Sequence, residues 1–248
     1  MSPLFDKVTG ALRDARSARS SGSVGAERSL RSAGERSDAS SAVVCQGAAL
    51  LLAYPEAELL NSLDVIESAV AATSAAQHFA PVLAHLRSMP LRELQSFHVQ
   101  EFDLSRRHAL HVSYWTDGDT RRRGEVLAEI KGIYRESGLV VALERELPDY
   151  LPVMLEFAVA DPDRGLPLLE RFRASLELLR IGLADDRLPH AGVLAALCNE
   201  LPGVSPKTRA EVQAMVDEVA PLEMVGISSF EHAQVGPSPT NVTWLPRS

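Results

Sequence analysis

Two histidines, His108 and His111, stand three residues apart, so on a helix they would share a face from which imidazole nitrogens could take a metal ion. Their surroundings offer no evident third ligand, and packing inside a helical bundle is the stronger reading; His98 is no more diagnostic. Asp185 and Asp186 could chelate a cation, but they lack the DDxxD arrangement of helical isoprenoid enzymes. They adjoin Arg187 at a helix end, where a solvated turn is expected. The sequence contains no GxxxxGK[ST], GxGxxG or GxSxG element, which argues against nucleotide hydrolysis and an activated serine. Cys45 and Cys198 lie far apart and outside any CxxC or Cys/His setting, so neither a disulfide framework nor a zinc site is indicated.

What remains is charge set against local folding rules. Asp117, Gly118, Asp119 and Thr120 read as a turn and helix N-cap, which places Arg121, Arg122 and Arg123 in the first helical turn. Exposed cations there oppose the macrodipole by ~0.3–1 kcal/mol each. They are neutralised locally by Asp117, Asp119 and Glu125, pin a neighbouring helix, or meet an anionic group; the clamp onto acidic residues of other helices is favoured. Further on, Pro148 biases Leu147 away from helix, Asp149 can cap, and Pro152 falls within the first turn, so a helix is expected from about Asp149. From Leu151 to Ala160 it is apolar nearly all round, with Glu156 its sole charge, the pattern of a helix at a bundle centre. Asp149, Val153 and Glu156 follow i, i+4, i+7 spacing, and an acidic stripe on a buried helix needs a partner. Tyr114, Trp115 and Tyr150 carry polar tips beside these charges, a combination suited to a groove for an amphipathic helix with basic residues.

The elements that must hold these residues are helices. The 248 residues are 46% hydrophobic, enough for one substantial core. The fold class expected is all-α, a single-domain helical bundle of about nine to ten helices. Residues 1–40 are Ser/Arg-rich and expected to be a disordered tail, residues 41–222 the helical domain, and residues 223–248 a flexible C-terminal tail. Helices are expected over 41–53, 56–72, 74–88, 91–101, 104–116, 120–137, 149–160, 164–184, 190–200 and 206–219. Gly138 supplies the left-handed stop after the stripe Val126, Ile130, Ile133 and Tyr134. Leu169, Phe172, Leu176, Leu179 and Leu183 form a packing seam. Ser205 and Pro206 read as a cap and first helical residue before Val212, Met215, Val216 and Val219. No apolar run approaches the ~20 residues that span a bilayer, and a cytoplasmic, soluble protein is expected. The net charge of −8 argues against nucleic acid as a partner.

The strings FDLSRRHALHVSYWTDGDTRRRGEVLAEIKGIYRESG and ELPDYLPVMLEFA closely resemble the NarJ-type nitrate reductase assembly chaperones, within the TorD/DmsD/NarJ family of molybdoenzyme chaperones. The resemblance runs from roughly Gln46 to Val219 and rests on YWTDGDTRRRG, similar to Y-x-x-x-G-D-T-R-x-R-G, and on ELPDY, similar to E-x-P-D-H. It implies an all-α fold, no catalysis, and binding of the N-terminal segment of the nitrate reductase catalytic subunit. That subunit would thereby stay competent for insertion of its molybdenum cofactor, bis-molybdopterin guanine dinucleotide, before it joins its membrane anchor. By motif position, Glu146, Pro148 and Asp149 carry over, as do Gly118, Asp119, Thr120, Arg121, Arg123 and Gly124. Tyr150 stands where the motif has histidine, which puts an imidazole-specific role there in question. A peptide groove edged by Tyr114, Trp115, Asp149, Tyr150 and Glu156 is the joint expectation. No cofactor is expected to be bound permanently; transient contact with the client's molybdopterin guanine dinucleotide and formation of a homodimer stay open. So do two other readings, a chaperone of another molybdoenzyme and a ligand-binding helical regulator.

Overall fold

Apolar residues at three- and four-residue spacing dictate helices, and the computed structural model of the chain, which describes residues 26–118, 120–139 and 146–219, is built from them. In chain order these are α1 (Ala26–Leu52), α2 (Ala57–Val70), α3 (Ala76–Ser88), α4 (Leu91–His98), α5 (Tyr114–Asp117), α6 (Arg121–Glu136), α7 (Leu151–Ala160), α8 (Pro162–Arg171), α9 (Arg173–Asp185), α10 (Ala191–Glu200) and α11 (Arg209–Val219). A π-helical turn, Val99–Asp103, extends α4. The described residues contain no strand, and the all-α expectation is met. Residues 1–25 of the expected N-terminal tail, all of the expected C-terminal tail 223–248, and Asp119 lie outside the described residues. Within those residues, no helix is long and apolar enough to cross a membrane.

The central helix is α7, whose Leu151, Met154 and Leu155 are fully buried and which packs on α1 and α8. Around it, α10 lies against α9, α3 and α1. Close approach sets two glycines: a Cβ on Gly165 of α8 would sit 2.3 Å from the Ala158 Cα of α7, and one on Gly192 of α10 would sit 2.0 Å from the His78 carbonyl oxygen of α3. Val126, Ile130 and Tyr134 are buried along α6, and Gly138 ends that helix at φ +72° as expected.

Four local expectations are corrected. Residues 104–113 are not helical, because their polar side chains and backbone are drawn to partners elsewhere in the chain, described below. The stretch 164–184 breaks at Phe172, where the ladder tightens to an i−3 bond from the Phe172 N–H to the Leu169 carbonyl (3.1 Å), although Leu169, Phe172, Leu176, Leu179 and Leu183 are all buried. The N-cap of α7 is Tyr150 and not Asp149. The hydroxyl of Ser205 donates to Glu177 (2.7 Å) instead of capping, and α11 starts later, with the Thr208 hydroxyl accepting from the Glu211 N–H (3.2 Å).

A histidine cluster closes the core where α1 ends against α3, α4 and α10. His190 lies 5.9 Å from His85 and 5.0 Å from Phe102 between ring centroids, and His98 lies 4.9 Å from Phe102. Burial, then the neighbouring His85 and His98, bring the His190 pKa down to about 3 against a weaker opposing hydrogen bond with the Leu51 backbone. His85 and His98 are lowered too, chiefly by burial.

Two consequences are measurable. Gly192→Ala must push α10 off α3 and should cost ~1–3 kcal/mol in urea unfolding, whereas Gly124→Ala, with nothing within 4 Å of a new Cβ, should be neutral or gain up to ~1 kcal/mol. The pKa of His190 lies below its ordinary value of 6.5, so the unfolded chain takes up its proton first as pH falls. The stability tied to neutral His190 is therefore complete above pH 6.5 and drains away toward pH 3, by up to ~1.4 kcal/mol per pH unit. His190→Gln should flatten the fall in unfolding free energy between pH 6 and 4; an unchanged slope would mean that His190 is protonated in the folded chain.

Candidate functional site

The segment after the π-helical turn crosses the start of α7 by an irregular path. The Val112 N–H donates to the Asp149 carbonyl (3.0 Å) and the Leu151 N–H to the Leu110 carbonyl (2.9 Å), a single antiparallel bridge pairing His111 with Tyr150. Directly after the bridge the chain turns, with the Tyr114 N–H donating to the His111 carbonyl (3.1 Å), and the turn brings His111 and Ser113 together over Asp149. The Asp149 carboxylate is fully buried. One oxygen lies 3.1 Å from His111 Nδ1; the other accepts from the Ser113 hydroxyl (2.5 Å), the Ser113 N–H (3.3 Å) and Arg123 Nη2 (3.3 Å). Burial on its own would push this carboxyl up, but hydrogen bonds from His111 and Ser113 and the charges of His111 and Arg123 hold it below its ordinary value.

The two charged motifs therefore meet. Arg123 reaches from the first turn of α6 to Asp149, also donates through Nε to the Ser113 hydroxyl (3.1 Å), and lies over the Tyr114 ring at 5.9 Å. Arg122 pairs with Asp117 at 3.1 Å, and the Thr120 hydroxyl donates to the Asp117 carbonyl (2.7 Å). Gly118 turns the chain between them at φ +56°. Arg121 and Gly124 are exposed. On the far side, Tyr134 of α6 donates to the carbonyl of the buried Pro148 (2.8 Å), which locks the ELPDY segment to α6.

Asp149, expected at the edge of a groove, is instead fully buried. Its oxygens are occupied by four donors within the protein, so it holds Tyr150 and the head of α7 in place and presents no charge outward. The other expected residues divide between two places. Tyr150 is half-buried, its ring 5.5 Å from His111, and its hydroxyl pKa is raised by burial and then by the negative charges of Glu146, Asp103 and Glu156. Glu156 is half-buried, raised by burial, and has no ion pair or hydrogen bond among the described residues. Leu104 and Leu147, chain neighbours of Asp103 and Glu146, are exposed at 74% and 39%. Trp115 points elsewhere: its indole N–H donates to the Ala109 carbonyl (3.0 Å) and its ring packs toward Leu178, Ile181 and Val212.

The arrangement has no catalytic geometry. Ser113, His111 and Asp149 are the residue types of a hydrolytic triad, but the serine donates to the aspartate instead of to the histidine, and it is fully buried. His108 and His111 do not share a face. His108 lies near Asp186 (2.9 Å) and Glu101 (3.4 Å), while Asp186 itself stands in the exposed turn after α9, as expected, and pairs with Arg107 at 3.0 Å. Among the described residues no group of three or more His, Cys, Asp and Glu could hold a metal ion. What the surface around Tyr150 offers is apolar and aromatic area bordered by carboxylates, which suits a cationic, amphipathic partner. The pairing of His111 with Ser113 carries no signal in the sequence, because it depends on a turn that Asp149, far along the chain, completes.

The chain is similar in sequence to known proteins. Residues 67–196 match the family model of the nitrate reductase delta subunit. The "nitrate reductase-like protein NarX" of Mycobacterium tuberculosis is 35% identical over 157 residues, covering 63% of this chain and 24% of that protein. NarJ of Bacillus subtilis is 33% identical over 120 residues, covering 47% of this chain and 65% of that one. The "nitrate reductase molybdenum cofactor assembly chaperone NarJ" of Escherichia coli K12 is 30% identical over 117 residues, 45% of this chain and 49% of that one. The chain thus spans about a quarter of the length of NarX and half to two thirds of these NarJ relatives. A crystal structure described as a redox enzyme maturation protein from Archaeoglobus fulgidus has the same fold, with a TM-score of 0.50 at 22% identity, covering 64% of this chain and 91% of that one.

If Asp149 organises the two motifs, Asp149→Ala should strand Arg123 and Ser113 and lower stability by ~2–5 kcal/mol. A urea-unfolding double-mutant cycle with Arg123→Ala should return a coupling of ~1 kcal/mol or more; additive losses would show that the pair does not form in solution.

Proposed function

The chain belongs to the nitrate reductase delta subunit family, and from that premise we propose that it is a non-catalytic, cytoplasmic assembly chaperone of a respiratory nitrate reductase. Its client is the N-terminal segment of the catalytic subunit, held in a state that accepts the molybdenum cofactor before the subunit meets its membrane anchor. The names of the NarJ relatives support the assembly role. The observation that carries the client reading is the surface around Tyr150, where exposed Leu147 and the unpaired, half-buried Glu156 accompany Glu146 and Asp103.

An amphipathic client segment would lay its apolar face on Tyr150 and Leu147, and its basic residues would settle the carboxylates. Area supplies affinity, and the charges fix direction. Glu156 is the strongest element of that recognition. Its carboxylate is costly to keep charged where it lies, and a bound cation would relieve that cost. Asp149 acts from below by fixing where Tyr150 stands. The cofactor is cargo of the client, and the chaperone's task is to keep the receiving subunit open to it.

Calorimetric titration of the catalytic subunit's N-terminal peptide should show binding to the wild-type chain, and Glu156→Lys should weaken it at least ~10-fold, equivalent to ~1.4 kcal/mol, with the helix content unchanged. Equal affinity in Glu156→Lys would remove that residue from the site. No binding to the wild type, with a different molybdoenzyme or an unrelated protein recovered from a host lysate, would overturn the client assignment.

A further inference from the structure

Among the described residues the last helix, α11, buries its apolar contact apart from the main core. Its buried contact belongs to a small apolar cluster separate from the main core, made of Leu178 and Ile181 of α9 with Val212 of α11, and flanked by Ala174 and Trp115. Val212 is 1% exposed, and Met215 and Val216 are half-buried beside it on the same helical face. At its start, Arg209 Nη2 lies 3.6 Å from Asp185 of α9, a pair about half exposed on both sides. The helix also lies beyond residues 67–196, the part that matches the family model, whereas Trp115 and α9 lie within it.

The connection to α11 is anchored independently of the helix. Arg173 donates to the carbonyls of Pro202 and Gly203, and Arg180 donates to the carbonyl of Pro206. Both arginines and the Ser205 hydroxyl converge on the fully buried Glu177. The chain is therefore fixed up to Pro206 whether or not α11 is docked, and only Lys207 and Thr208 separate that anchor from the helix. Departure of α11 would uncover Leu178, Ile181 and one side of Trp115 without disturbing the main core.

We propose that this face of α9, with Trp115, is a helix-docking surface that α11 occupies in cis and that an amphipathic helix with basic residues takes in trans by displacing it. The occupant already present specifies the chemistry: apolar side chains at i, i+3 and i+4 (Val212, Met215, Val216) and an arginine one turn before them, answered by Asp185. Identifying the incoming helix with a further stretch of the catalytic-subunit segment, beyond the part laid on Tyr150 and Leu147, rests on the function proposed above. Trp115 joins the two ideas physically, since it packs against both the main core and the α9–α11 cluster and belongs to the YWTDGDTRRRG string. Capture of a client would then begin with release of the chain's own helix, which guards the apolar surface when no client is present.

The test uses the full chain and a labelled peptide of its own residues 206–219. Val212→Glu undocks α11 from the apolar cluster, and Arg209→Glu does so from an exposed position that the core does not depend on. Both variants should bind the peptide at least ~10-fold tighter than the wild type, whose site is filled, and Ile181→Glu added to either should abolish binding. Addition of the catalytic-subunit peptide to the wild type should raise hydrogen exchange across residues 209–219. Equal or absent binding of the 206–219 peptide in wild type and both variants overturns the docking surface. Calorimetric binding of the catalytic-subunit peptide with no change in exchange at α11 overturns the displacement while leaving the chaperone reading intact. Tight binding of the 206–219 peptide by the variants, with no binding of the catalytic-subunit peptide anywhere, upholds the surface and overturns the client reading instead.

Discussion

A carboxylate with no exposed surface must be satisfied by the protein around it, and Asp149 imposes that condition on everything between the π-helical turn and α7. Its acceptor sites draw His111 and Ser113 inward from a segment whose apolar spacing suggests helix, and Arg123 from the first turn of α6. The irregular path of residues 104–113, the short α5 and the tight turn at Gly118 all follow from delivering those donors. A buried ion pair of this kind contributes little net stability compared with an apolar replacement, since desolvation offsets much of the attraction. Its effect is on geometry: it allows only one way for the start of α6, the bridge at His111 and the head of α7 to come together.

That constraint explains why the outward face is where it is. With Asp149 turned in and the Pro148 carbonyl held by Tyr134, the next residue, Tyr150, is fixed at the surface as the N-cap of α7. The helix behind it is buried on nearly every side, and its half-exposed positions, Val153, Glu156 and Val159, recur every three residues. On the function proposed above, recognition would be displayed by a helix buried on nearly every side, which limits the conformational cost of meeting a partner.

Helix type and core were legible because apolar spacing carries them. The stripe along α6 and the seam from Leu169 to Leu183 needed only a period of three to four residues, and Gly138 only the left-handed conformation that ends a helix. The site was legible in its parts but not in its assembly. The strings around Arg123 and Asp149 stood out, yet no local rule tells that two segments 26 residues apart share one buried hydrogen-bond network. Capping statistics sent Asp149 to a helix end and Ser205 to another, because short polar side chains prefer caps unless a distant partner outbids the local backbone. In both cases such a partner exists, Arg123 with Ser113 for the first and Glu177 for the second.

The exchange of histidine for tyrosine in ELPDY can now be weighed against its surroundings. An imidazole at position 150 would stand among Asp103, Glu146 and Glu156 and could add a positive charge near neutral pH. The tyrosine hydroxyl there is pushed further from titration by burial and by those same carboxylates. The nearest imidazole, His111, is already committed to Asp149. The charges that reach the Tyr150 hydroxyl are those of the carboxylates Glu146, Asp103 and Glu156. Of these Glu156 is the one whose ionisation burial opposes, so a cationic partner gains most by settling there. On the function proposed above, tyrosine at this position leaves Glu156 without an internal imidazole competitor and open to be answered from outside, as a site that selects a basic segment requires.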